Sequence, residues 1–161
     1  MSRIELRGAT ADDAELVHTW ANDPVTRAAS FSSAEIPLAD HLAWFGRQLA
    51  AAGHHLLIAE TEAGAPFAFV RLDTREQAED RCTISINLDP AVRGQGLGTA
   101  TLEAASCWAA GAGLRFIDAL IRPTNRASVR AFEKAGYVHA SETEVQGQPA
   151  LHLIRSLTDL P

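Results

Sequence analysis

Apolar and polar positions along the chain change period several times, and those changes divide it into elements. Ile4-Glu5-Leu6-Arg7 alternates with period two, which predicts a short strand ending at Gly8. Thr10 is placed to cap a helix running to about Trp20, with Asp12 and Asp13 in its first turn, and Asn22-Asp23-Pro24 breaks it. From Val25 to Pro37 no period holds. Leu38, Leu42, Phe45 and Leu49 then recur at helical spacing, predicting a helix from Leu38 to about Ala52 with that line as its apolar stripe.

After Gly53 the period returns to two. Leu56 to Ala59 and Phe67 to Leu72 read as strands around the turn Ala63-Gly64-Ala65-Pro66, and Asp73 to Asp80 reads as a charged surface loop. Cys82 to Leu88 is a further strand. A proline-free, alanine-rich helix follows from Thr99 to about Ala110, ended by Gly111 and Gly113. Phe116 to Ile121 is a strand, Arg126 to Ala135 a helix stopped by Gly136, and Tyr137 to Glu144 with Ala150 to Arg155 a closing antiparallel pair around Gln146-Gly147. The order implies one α+β domain over residues 1–161, without repeats or linkers.

The stretch richest in chemistry joins the fourth predicted strand to its helix: Arg93-Gly94-Gln95-Gly96-Leu97-Gly98-Thr99. Glycines at every second position let the backbone approach a ligand closely, and the helix behind them offers unpaired N–H groups and the positive end of its dipole. That suits a phosphate. A P-loop needs a lysine before Thr99, and none is there; a Rossmann fingerprint needs different glycine spacing directly after its strand. A plain connecting turn is the remaining alternative.

Arg93-Gly94-Gln95-Gly96-Leu97-Gly98 resembles the Gln/Arg-x-x-Gly-x-Gly/Ala motif by which GNAT-superfamily N-acetyltransferases hold the pyrophosphate of acetyl-CoA. Asn125-Arg126-Ala127-Ser128, its helix with Phe132, and Gly136-Tyr137 are similar to that family's second acetyl-CoA block. The resemblance covers nearly the whole chain. It implies a mixed, mostly antiparallel central sheet flanked by about four helices, with acetyl-CoA as co-substrate and no metal. It also implies that the strand at Ile86, Asn87 and Leu88 splays from Phe116–Ile121. Pantetheine would lie in that gap, and the Leu88 N–H would polarise the thioester carbonyl. Asn125 would reach the pantetheine or sulfur, or serve simply as a helix cap. Where many members have a proton-donating tyrosine this chain has Phe132, so Ser128, Tyr137 or water is left to protonate the departing thiolate. The glutamate often used as base corresponds to Cys82, leaving His41, Asp73, His139 and His152 as candidates.

Composition narrows the acceptor. With 14 basic and 20 acidic residues the net charge is −6, which argues against nucleic acid as partner. No apolar run approaches the roughly 20 residues that cross a bilayer, no signal-peptide core opens the chain, and a cytoplasmic monomer or homodimer is expected. Cys82 and Cys107 lack metal or redox spacing and are expected to be buried thiols.

The segment around the first two helices would then take a small-molecule amine, with Trp20, Arg27, Phe31, His41 and Trp44 as candidate contacts. Trp20-x-Asn22-Asp23, Arg27 and His41-x-x-Trp44-Phe45 are similar to GNAT domains of nonulosonic (pseudaminic) acid biosynthesis, implying a nucleotide-linked amino sugar whose diphosphate Arg27 or Arg71 would meet. A protein N-terminus, an antibiotic, or binding of acyl-CoA without catalysis are the alternative readings.

Overall fold

The computed structural model describes residues 3–75 and 78–160. Its frame is a seven-stranded sheet in the order β1-β2-β3-β4-β5-β7-β6. The strands are β1 (Glu5–Gly8), β2 (His54–Glu60), β3 (Pro66–Arg75), β4 (Ala78–Leu88), β5 (Phe116–Ile121), β6 (Val138–Val145) and β7 (Gln148–Ser156). Every neighbouring pair is antiparallel except β4 with β5, which the crossover through a helix makes parallel.

The helices are α1 (Ala14–Ala21), α2 (Pro24–Ala29), α3 (Leu38–Ala50), α4 (Leu97–Gly111) and α5 (Arg126–Lys134). One face of the sheet is covered by α4 and α5. There Leu102, Ala105 and Ala109 pack on Val70, Leu72, Ile84 and Ile117, and Phe132 closes the end. Small residues along α4 let the helix lie close to the sheet. On the other face α1 and α3 cover only the β1–β4 half, with Val17, Trp20, Phe45 and Phe69 at their contact. The fold is thus the expected α+β arrangement.

Four expectations need correction. Asp23-Pro24 does break α1, but it also starts α2: the Asp23 carboxylate accepts from the N–H groups of Val25 and Thr26 at 3.1 Å, and proline takes the first helical position, where no N–H is needed. Asp73 to Asp80 is not a loop over most of its length, because β3 and β4 extend through Arg75 and from Ala78; Glu76 and Gln77 lie outside the described residues. The buried line of α3 runs through His41 and Phe45, whereas Leu38 and Leu42 are 42% and 40% exposed. His41 sets that rotation: its Nε2 donates to the Ala14 carbonyl at 2.9 Å, and its ring is wedged against His18, Trp44 and Phe45. Finally, Cys82 is buried as expected but Cys107 is exposed on α4.

Candidate active site

β4 and β5 are in register only from Arg81–Phe116 to Thr83–Asp118, and beyond that pair they part. β5 stays with β7 to its end, while β4 stays with β3 as far as Leu88. The sheet therefore opens into a V. Its polar groups can be assigned from the antiparallel alternation. Asp89 N–H donates to the Phe67 carbonyl at 2.8 Å, so Asp89 and Asn87 face β3, and the intervening Leu88, with Ile86 before it, turns N–H and C=O into the gap. These donors and acceptors form the free edge of a split strand.

At the mouth of the V stands the glycine loop. Gly94 and Gly96 have φ of 77° and 75°, the left-handed region that a β-carbon disfavours. The first helical bond of α4 runs from Ala100 N–H to the Gly96 carbonyl, which leaves the amides of Leu97, Gly98 and Thr99 without intrahelical acceptors. Gly98 lacks the positive φ of the other two, and a β-carbon there would meet only ordinary van der Waals contacts. It would stand 3.4 Å from Leu88 Cδ1 and 4.0 Å from Ala131 Cβ, narrowing the passage between α4, β4 and α5.

Loop and V are parts of one cleft of about 630 Å³. It passes through the sheet, because its lining includes Ile84 and Ile86 from the α4 side and Ser85 and Asn87 from the other. Its charge is one-sided. Arg93, Arg122, Arg130 and Lys134 line it and, among the described residues, no carboxylate or imidazole does, although acidic residues outnumber basic ones in the chain by 20 to 14. Free amides, a strand edge and four cations fit a coenzyme that ends in a pyrophosphate-linked nucleotide and carries an amide-rich arm.

Of the expected cofactor contacts, Ile86, Asn87, Leu88, Arg93, Gly94, Gly96, Gly98, Thr99, Asn125, Ser128 and Phe132 line the cleft; Gln95 and Leu97 belong to the same loop without lining it. Arg93 does not point freely into it. Its Nη2 is 2.6 Å from Asp23 Oδ2 and donates to Thr26 Oγ1 at 2.8 Å, tying the loop to α2. That contact holds the Asp23 carboxyl below the usual carboxylate range. Asn125 caps α5, its Oδ1 accepting from Ser128 N–H at 3.3 Å.

Tyr137 is the first site correction. It is 2% exposed, packed edge-on against Phe132 at 4.8 Å, and outside the cleft, where burial raises its phenol well above its ordinary value. We expect Tyr137→Phe to leave kcat unchanged, read by steady-state assay. Cys82 is no base either: burial pushes its thiol up to about 12.

The proposed acceptor contacts divide. Phe31 lines the cleft. Trp20 is 2% exposed in the α1–α3 core, and His41 is the buried wedge already described. Arg27 is spent on backbone, donating from Nε to Ala21 O at 2.7 Å and from Nη1 to Ser32 O at 2.9 Å. Burial lowers its pKa from the ordinary guanidinium value. Trp44 is half-buried beneath Arg71. Among the base candidates, Asp73 is paired with His54 at 2.7 Å and Arg71 at 2.9 Å, His139 with Glu133 at 3.1 Å, and His152 with Asp118 at 2.8 Å.

The segment expected to take the acceptor lies over the cleft as a flap, residues 23–36, and sequence reasoning missed how it is fastened. Asn22 closes it, accepting from Ile36 N–H and donating to Ile36 O, both at 2.8 Å. Arg122 reaches from the end of β5 to the carbonyls of Ala28 and Ser30 at 2.8 and 3.1 Å, and Gln148 of β7 donates to Phe31 O at 2.9 Å. The one legible signal was Asp23-Pro24, an N-cap followed by an N1 proline.

The comparisons agree with this geometry. Residues 3–138 match the family described as "Acetyltransferase (GNAT) domain". A Bacillus subtilis (strain 168) protein named "Putative phosphinothricin acetyltransferase YwnH" is 30% identical over 142 residues, covering 83% of each chain. Among solved structures, one titled "Crystal structure of a putative phosphinothricin N-acetyltransferase" superposes with a TM-score of 0.81 at 26% identity, covering 98% of this chain and all of that one. The aminoglycoside acetyltransferase AAC(6')-Ib, solved with coenzyme A and kanamycin, superposes at 0.84 with 20% identity, over 96% and 95% of the two chains, a likeness of fold. No helix of the described residues is long and apolar enough to cross a membrane. The chain belongs to the GNAT acetyltransferase family.

Proposed function

We propose that this acetyltransferase acetylates the primary amine of a small molecule by direct attack within a ternary complex. The observation that carries the reading is the cleft that passes through the split sheet, since donor and acceptor can approach one point from opposite faces. Acetyl-CoA supplies the thioester. Leu88 N–H donates toward its carbonyl oxygen, the glycine-loop amides hold the pyrophosphate, and Ile86 pairs with the arm as a neighbouring strand would. Asn125 and Ser128 stand at the α5 end of the gap, where Ser128 or water protonates the thiolate, Phe132 having no proton to give.

For the acceptor, the nucleotide-linked amino sugar implied by the weaker sequence resemblance and the phosphinothricin of the relative's name share an amine and an anionic group. That no carboxylate lines the cleft among the described residues favours that class over polycationic amines.

Because no imidazole or carboxylate lines the cleft among the described residues, the amine is expected to lose its proton to water. Release of CoA thiol, followed with a panel of amines, tests the activity. Its pH profile tests the proton path: the rising limb of kcat/KM should move with the acceptor's own amine pKa. A limb fixed near pH 6.5 for all acceptors would instead indicate a histidine base.

A further inference from the structure

One cation stands apart from those at the cofactor mouth. Arg71 is in mid-β3, directly opposite Ser85 of β4, on the sheet face away from α4 and α5. Its guanidinium carbon lies 5.3 Å from the centroid of the Trp44 ring of α3, and its Nε lies 2.9 Å from Asp73 Oδ2. Asp73 is held in turn by His54 at 2.7 Å. Nη2 reaches 3.4 Å from the hydroxyl of Ser85, an exposed residue of the cleft wall.

Trp44 thus lies beneath the guanidinium, and Asp73 stands beside Nε at ion-pair distance without a hydrogen bond, so that Nε is buried and unsatisfied. The Nη groups face the open side beside Ser85; among the described residues no other partner is recorded for them. Stacking on an aromatic ring and orientation by one carboxylate are how an arginine is pre-organised to grip a second anion through its remaining donors.

The geometry points to Arg71 as the residue that selects acceptors carrying a carboxylate, phosphonate or phosphate together with the amine. Ser85 precedes Leu88 by three residues, about 10 Å of strand, and the guanidinium stands over Ser85. An amine at the thioester carbon beside Leu88, with its anion at Arg71, therefore has the dimensions of an amino acid or a sugar phosphate. A polycationic amine meets like charge at Arg71. Trp44 and Asp73 act through Arg71 as positioning residues. The inference rests on the acetyltransferase reading above.

The test compares the wild type with Arg71→Gln and Arg71→Lys. The acceptors are glucosamine 6-phosphate against glucosamine, and phosphinothricin against spermidine. In the wild type, kcat/KM should favour the anionic member of each pair by at least about 10-fold, the range of a charge-assisted hydrogen bond. Arg71→Gln should collapse that ratio toward one, chiefly by raising KM for the anionic member about 10- to 100-fold. Arg71→Lys should keep only part of the preference, because a point charge does not reproduce the planar fork. A wild-type preference for glucosamine or spermidine overturns the inference, as does a ratio that survives Arg71→Gln or a loss confined to kcat. These outcomes leave the acetyltransferase reading standing. Absence of thiol release with every amine, while acetyl-CoA still binds, overturns both.

Discussion

Replacing Leu88 with proline should lower kcat about 100- to 1,000-fold while acetyl-CoA affinity falls far less, which is the scale of losing one donor aimed at a developing negative charge. The expectation comes from the ladder. Asp89 N–H is spent on Phe67 O at 2.8 Å, so Leu88 N–H faces the gap and proline removes a donor that the β3–β4 pairing does not use. Asn87 is already extended, as a residue before proline prefers to be. Leu88→Ala is the control: it removes the side chain that approaches Gly98 but keeps the N–H. Stopped-flow thiol release gives kcat, and calorimetric titration gives affinity. Equal losses in the two variants would move the effect from the amide to the side chain.

Gly96→Asp should reduce acetyl-CoA affinity by more than about 100-fold, because a carboxylate close to a pyrophosphate in a partly desolvated mouth costs several kcal/mol. The protein should remain folded. Nothing lies within 4 Å of where the new β-carbon would stand, and aspartate tolerates the left-handed backbone better than most residues. A small fall in melting temperature with binding abolished is the expected pair of results. Retained affinity would remove the loop from the cofactor site.

The two ends of the cleft differ in how much of them the sequence reveals. The cofactor end is local: strand, glycine loop and helix are contiguous, and Asn125 opens the next helix with its own cap, so a phosphate-suited loop is legible from spacing and the coenzyme from the resemblance of that spacing to the family motif. The acceptor end depends on how α3 is rotated about its axis. Leu38 and Leu42 imply one rotation, and His41, bonded to Ala14 on another helix, imposes a different one that buries His41 and turns Trp44 beneath Arg71. No window of sequence contains that competition. Arg27 shows the same limit, since a free guanidinium and one spent on the Ala21 and Ser32 carbonyls read identically in one dimension. Tyr137 fails for a related reason: its neighbours Phe132 and Cys82 come from α5 and β4, and only their meeting makes its site a core.

The flap over the cleft is fastened through main-chain atoms at Ala28, Ser30, Phe31 and Ile36, and through the side chains of Asp23 and Thr26, which hold Arg93. Asn22 grips Ile36, Arg122 grips Ala28 and Ser30, and Gln148 grips Phe31, each by backbone oxygen or nitrogen. Its own side chains at Val25, Ala29 and Phe31 face the cleft without being part of that fastening. Substitution at these three positions therefore changes what the roof presents while leaving the roof in place. A lineage carrying this scaffold is free to retune its acceptor by side-chain exchange in one short segment, with the coenzyme half of the protein held constant.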